Sequence, residues 1–168
     1  MVAIKLLLFD VDGVLTDGTI LVHADGTESK QFNIRDGAGM VWAQRAGLTI
    51  GLLSARTADA TAIRAAQLGI SIVSQGGANK LAGYEQILAA HGFTDEEVGY
   101  MGDDLQDLPV LRRAGFSAAP SDAAPEVRAA VQWVSPSAGG RGAARECIEH
   151  VLRAQGNWRA AVSGFFES

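Results

Sequence analysis

The stretch Leu6-Leu7-Leu8-Phe9-Asp10-Val11-Asp12-Gly13-Val14-Leu15-Thr16-Asp17-Gly18 decides the reading of this chain. Leu6 to Phe9 have the length and composition of a strand buried on both faces, and a turn signal follows them. Side chains at i and i+2 leave an extended backbone on one side. Asp10 and Asp12 therefore point together beyond the strand's carboxyl end, where open parallel sheets bind their ligands. Two acids crowded there repel each other unless a cation lies between them or one takes up a proton. Asp and Gly also suit an ordinary turn, so the motif needs support from the rest of the chain.

Beyond Gly18, Thr19 to His23 and Glu28 to Ile34 have the pattern of a hairpin around Ala24-Asp25-Gly26-Thr27, since Asp-Gly favours such turns. Asp36 is an expected N-cap for a helix through Arg45 and Ala46 that Gly47 ends. Strands are expected over Leu48 to Leu53, Ile70 to Val73, Val98 to Met101 and Phe116 to Ala119, with a sixth over Gln132 to Val134. Helices are expected over Thr57 to Leu68, Lys80 to His91, Leu105 to Ala114 with a break at Pro109, Pro125 to Val131, and Ala143 to Ala154. Thr94 to Glu97 has capping-box spacing. Gly139-Gly140-Arg141-Gly142 reads as a hinge-like loop and Gln155 to Ser168 as a tail whose Trp158, Phe165 and Phe166 pack on something, such as another subunit. Strands alternating with helices define an α/β chain with a doubly wound, mostly parallel, Rossmann-like sheet. No linker divides the chain, so residues 1–168 are expected to form one domain.

Composition excludes several classes. A net charge of −5 gives no general attraction to nucleic acid or an anionic membrane surface. The single cysteine, Cys147, rules out a disulfide framework within the chain and fits a reducing cytoplasm. Met1 to Lys5, followed by a short apolar run, is neither a signal peptide nor a membrane span. His23, His91 and His150 lack the spacing of a zinc site. The segment Gly76-Gly77-Ala78-Asn79-Lys80 lacks the spacing of a P-loop.

The polar residues at the strand ends belong to one chemistry. Asp10 and Asp12 follow strand one, Ser54 and Arg56 strand two, Lys80 strand three, and Asp103, Asp104 and Asp107 strand four. Carboxylate oxygens at Asp10 and Asp103 suit Mg²⁺, which keeps positions for water and a phosphate oxygen. An aspartate can attack phosphorus and form an acyl phosphate. Asp12 can protonate the leaving oxygen and then deprotonate water, while Ser54 and Lys80 grip the phosphate oxygens.

These segments, with Phe32-Asn33-Ile34-Arg35-Asp36-Gly37, Asn79-Lys80, Gly102-Asp103-Asp104-Leu105 and Gly139-Gly140-Arg141-Gly142, resemble the haloacid dehalogenase superfamily. The closer resemblance is to the capless branch that contains the 3-deoxy-D-manno-octulosonate 8-phosphate phosphatases. It implies a Mg²⁺-dependent phosphatase with a projecting hairpin (about 19–34) and no cap domain, serving lipopolysaccharide precursor synthesis in the cytoplasm. By resemblance Asp10 is nucleophile and metal ligand. Asp12 is acid/base and binds metal through its carbonyl, Asp103 completes the metal site, and Asp104 supports it. Ser54 and Lys80 hold the phosphoryl group, and Arg56 and Arg64 the sugar acid. The branch more often has Thr-Gly-Arg where this chain has Ser54-Ala55-Arg56, which bears on substrate fit at Ala55. It also implies a homotetramer, with hairpins meeting at the centre and the tail (about 155–168) closing a neighbour's site. Two alternatives stay open: a related phosphatase for a nine-carbon keto acid phosphate, which tends to carry an acid at the position of Arg56, and a non-catalytic oligomerisation or regulatory domain.

Overall fold

The computed structural model describes residues 3–166. In chain order its elements are β1 (Leu6–Phe9), β2 (Leu21–Val22), β3 (Glu28–Ser29), α1 (Ile34–Arg45), β4 (Thr49–Leu53), α2 (Asp59–Gln67), β5 (Ile72–Ser74) and α3 (Lys80–His91). There follow β6 (Val98–Met101), α4 (Leu108–Leu111), β7 (Phe116–Ala119), α5 (Pro125–Ala130), β8 (Trp133–Val134), α6 (Ala143–Ala154) and α7 (Trp158–Val162). Short 3₁₀ turns cover Asp95–Glu97, Leu105–Asp107 and Ser163–Phe165.

The six core strands are parallel in the order β5-β4-β1-β6-β7-β8. Alternate residues of β1 serve two cores. Leu7 and Phe9 join Met40, Ile50, Leu52 and Ile148 under α1 and α6. Leu6 and Leu8 join Leu53, Tyr84, Tyr100 and Val110 under α3 and α4. Full burial of such side chains contributes about 2 kcal/mol each. The four of β1 thus supply on the order of 8 kcal/mol, enough to offset the several kcal/mol of burying charge at its end. From β1 the chain winds to β4 and β5 on one side, then returns to β6, β7 and β8 on the other. The strand order reverses between β1 and β6, the position at whose carboxyl ends open parallel sheets bind ligands.

Several boundaries differ from those read in the sequence. The hairpin pairs only Leu21 with Ser29 and Val22 with Glu28, and Ile34 belongs to α1. Asn33, not Asp36, caps α1: its side chain accepts from the Arg35 N–H at 2.8 Å. Asp36 is buried and caps a different helix, accepting from the Arg145 N–H at 2.8 Å. Gly142, at the N-cap of α6, has no side chain for that task. The break at Pro109 takes the form of a 3₁₀ turn followed by α4, with the proline in the first helical turn where no N–H is missed. The Thr94 capping box forms. Helix α2 starts at Asp59, and β5 is displaced towards Ser74.

The Gly139–Gly142 segment is fastened rather than hinge-like. Gly139 N–H donates to Asp122 Oδ1 at 2.9 Å, and Gly140 N–H to the Val14 carbonyl at 2.9 Å. A Cβ at Gly139 would lie 1.8 Å from the Gly13 carbonyl oxygen, so only glycine permits this approach. The start of the tail folds back on its own chain: the Trp42 ring centroid lies 6.4 Å from that of Trp158 and 5.1 Å from that of Phe165. Phe165 and Phe166 stay exposed, as do Leu21, Val22 and Ile34. Glu167 and Ser168, part of the expected tail, and Met1 and Val2 lie outside the described residues. No helix among the described residues is long and apolar enough to cross a membrane.

Candidate active site

The site begins where β1 ends. Asp10 is still held in the sheet through its N–H, which donates to the Met101 carbonyl at 2.9 Å. Its carboxylate is buried. Oδ1 accepts from the Val11 N–H at 2.7 Å, and Oδ2 lies 2.7 Å from Lys80 Nζ. Lys80 opens α3, whose N-cap Asn79 accepts from the Ala82 N–H at 3.3 Å. With a side chain 1% exposed, Lys80 meets a second carboxylate, Asp107 Oδ1, at 2.6 Å.

Asp107 sits in the 3₁₀ turn after β6 and is wholly buried. Besides Lys80, its Oδ1 accepts from the Tyr100 hydroxyl at 2.5 Å. Its Oδ2 accepts from the N–H groups of Asp103 and Asp104 at 3.0 and 3.1 Å. Asp107 thus fixes both the lysine and the backbone that carries Asp103. Burial pulls the Lys80 ammonium down, but Asp10 and Asp107 outweigh it and hold Lys80 above the ordinary lysine range.

Carboxylate oxygens of Asp10, Asp103 and Asp107 all lie within 4.8 Å of one another. Burial first, then neighbouring negative charge, raises the carboxyls of Asp10 and Asp103 above the usual range. Donors already surround Asp107, so Asp10 and Asp103 are the pair a hard divalent cation would bridge, relieving their repulsion. Gly13 makes room for this arrangement. Its φ is +89°, and a Cβ there would lie 2.0 Å from Asp103 Oδ2. The donor set fits Mg²⁺: oxygen only and few protein ligands.

The Asp12 side chain turns away from that cluster. Lys30 Nζ lies 2.6 Å from its Oδ1, and Arg56 Nε 3.8 Å from its Oδ2. Arg56 also pairs with Glu28 of the hairpin. Ser54 is buried at the end of β4, where its Oγ accepts from the Arg56 N–H at 3.3 Å, and Ala55 is half-buried between them. Asp104 is exposed and caps the 3₁₀ turn, accepting from the Leu105 N–H at 2.8 Å. Arg64 is not brought into the cluster: its guanidinium donates to Gln67 at 3.3 Å and lies over Gly37, where a Cβ would meet Nη2 at 2.4 Å.

Sequence reasoning placed Asp107 near the site but gave it no role, and it missed Lys30 altogether. The Asp104-to-Asp107 spacing carries the capping-box signal that would have marked Asp107 as a backbone anchor. Nothing local marks Lys30, because its partner lies across a hairpin.

Sheet order and the acid–lysine cluster at the switch point together define a class. A model of the haloacid dehalogenase-like hydrolases matches residues 49–146, and the chain belongs to that family. Within it, the chain is 42% identical over 153 residues to the 3-deoxy-D-manno-octulosonate 8-phosphate phosphatase of Escherichia coli K12, covering 91% of this chain and 81% of the relative. A crystal structure of the phosphatase of that name from Moraxella catarrhalis, in complex with magnesium, phosphate and KDO, superposes with a TM-score of 0.93 at 36% identity, over 96% of this chain and 93% of that one. A probable phosphatase of the yrbi family from Pseudomonas syringae pv. phaseolica superposes with a TM-score of 0.96 at 44% identity, over 99% and 94%.

Proposed function

We propose that this protein is a Mg²⁺-dependent phosphoric monoester hydrolase that converts 3-deoxy-D-manno-octulosonate 8-phosphate to 3-deoxy-D-manno-octulosonate and phosphate. The observation that carries this reading is the gathering of Asp10, Lys80, Asp103 and Asp107 at the switch point, in a chain 42% identical to a phosphatase of that substrate.

Asp10 is the nucleophile. Lys80 and the Val11 N–H fix its carboxylate, so little reorientation is needed at the moment of attack. As the bond from an Asp10 oxygen to phosphorus forms, the bond to the sugar oxygen breaks, and Asp12 gives that oxygen a proton. Asp12 then takes a proton from the water that opens the aspartyl phosphate. Ser54 and Lys80 hold the phosphoryl oxygens. Mg²⁺, held by Asp10, Asp103 and the Asp12 carbonyl, supplies charge neutralisation between nucleophile and phosphate. Arg56 receives the substrate carboxylate in the fork geometry of a guanidinium. Arg64 acts from outside the cluster on the remainder of the sugar acid.

The described chain works as one domain without a cap. Four copies assemble through the hairpins, whose Leu21 and Val22 are each 60% exposed, and the apolar tail contributes to closure of a neighbouring site. The reaction belongs to lipopolysaccharide precursor synthesis in the cytoplasm. The test is phosphate release from a panel of sugar phosphates with Mg²⁺, including the eight-carbon acid and its nine-carbon homologue. Preference for the eight-carbon acid is expected. Preference for the homologue, or no turnover of either acid, overturns the substrate assignment.

A further inference from the structure

Strand β3 and the residue after it carry two charged side chains to the mouth of the site. Glu28 and Lys30 are two positions apart, so an extended backbone presents both on one side, while Ser29 turns the other way, where its hydroxyl lies 2.8 Å from His23 Nε2. Glu28 reaches Arg56, and Lys30 reaches Asp12 Oδ1 at 2.6 Å. The Lys30 side chain is 0% exposed. Burying an ammonium costs several kcal/mol unless it is paired, and Asp12 is the only carboxylate within ion-pair distance of it among the described residues. The two oxygens of Asp12 are thereby made different. Oδ1 is clamped; Oδ2 makes no hydrogen bond among the described residues and has the looser ion-pair contact of Arg56 Nε at 3.8 Å.

We infer that Lys30 is a positioning residue of the hairpin that locks the Asp12 carboxylate, leaving Oδ2 as the oxygen that meets the leaving group. A carboxylate held at one oxygen cannot swing about its terminal torsion, which is otherwise broad. A displacement of about 1 Å at such a group costs on the order of 100-fold in rate. This rests on the acid/base role of Asp12 proposed above. The hairpin then has a task within its own subunit, separate from any contact between copies.

The experiment compares kcat/KM for 3-deoxy-D-manno-octulosonate 8-phosphate, a simple primary alkyl phosphate and p-nitrophenyl phosphate in wild type, Lys30→Met and Lys30→Arg, with thermal melts to check folding. Alkoxide needs the proton and nitrophenolate does not. Lys30→Met is expected to lower kcat/KM on the alkyl esters by about 100-fold, with a loss at least about tenfold smaller on the aryl ester. Lys30→Arg, which can keep the ion pair, is expected to recover most of that difference. Equal losses on both ester types, no loss, or a selective loss that arginine fails to reduce overturns the inference. If the wild type cleaves the simple alkyl phosphate but not the octulosonate ester, the substrate assignment fails while the alkyl-to-aryl comparison still decides the role of Lys30. A wild type that cleaves none of the esters overturns both.

Discussion

Asp107 touches more of the site than any residue singled out as catalytic. It accepts from Lys80, from Tyr100 and from two backbone amides, and it is wholly buried. Removing one partner of a buried charged network costs about 3 kcal/mol, because the other groups are left unpaired. Asp107→Ala is therefore expected to lower Tm by about 9 °C in a domain of this size. A melt within about 2 °C of wild type would show that the network does not hold the site together.

Asp36 allows a second test at this scale. Burial raises its carboxyl to about 6, against the pull of the Arg145 and Gly142 N–H groups. The folded chain binds this proton more tightly than the unfolded one. The stability linked to it is present below about pH 4 and is lost as pH rises through about 6. Asp36→Asn keeps an oxygen for the Arg145 N–H and removes the charge. The variant is expected to gain on wild type between pH 4 and pH 7 by up to about 3 kcal/mol in urea unfolding; a constant difference would contradict the shift. The sequence showed Asp36 as a cap but not whose cap it is. Three residues earlier, Asn33 satisfies the same local rule, and only the approach of α6 gives Asp36 its partner.

Among elements, those read from apolar runs came through best. β1, β6 and β7 have the bounds expected, because strands with two buried faces declare themselves by composition alone. That Asp10, Lys80 and Asp103 meet at one end of the sheet was legible for a related reason, since parallel strands deliver their carboxyl ends to one side; the turn of the Asp12 side chain away from them was not. The ion pairs of Asp12 with Lys30 and of Lys80 with Asp107 join positions 18 and 27 residues apart, and no periodicity reports such approaches. The tail is the other case. Its aromatics are expected to pack on something such as another subunit; Trp158 packs on its own chain, closing over Trp42, with Arg153 4.7 Å from its ring centroid. Trp158→Ala is expected to cost about 2 kcal/mol of stability by chemical denaturation, since a half-buried aromatic and its cation contact are lost. A change below about 0.5 kcal/mol would mean that the segment is not seated on α1 and α6.

For the whole molecule, the central balance lies between an apolar sheet and a polar cluster set into one end of it. Burial raises the carboxyls of Asp10 and Asp103, with added negative charge from Asp107 at Asp10 and from Asp10 and Asp107 at Asp103, and a cation there would offset that cost. Mg²⁺ that binds the folded chain and not the unfolded one adds stability by mass action, about 2.7 kcal/mol at 100 times its Kd. Saturating Mg²⁺ is expected to raise Tm by about 5–10 °C in wild type, and Asp103→Asn is expected to remove most of that rise. An equal rise in both proteins would place the bound cation elsewhere.

The proposed mechanism requires Asp10 to become covalently phosphorylated. Acid quenching of the enzyme during turnover of substrate carrying labelled phosphate, followed by peptide mapping, tests this directly. The label is expected on the peptide containing Asp10, absent in Asp10→Asn, and lost on chase with unlabelled substrate. Full turnover with no label on the protein, or label on a peptide without Asp10, would contradict it.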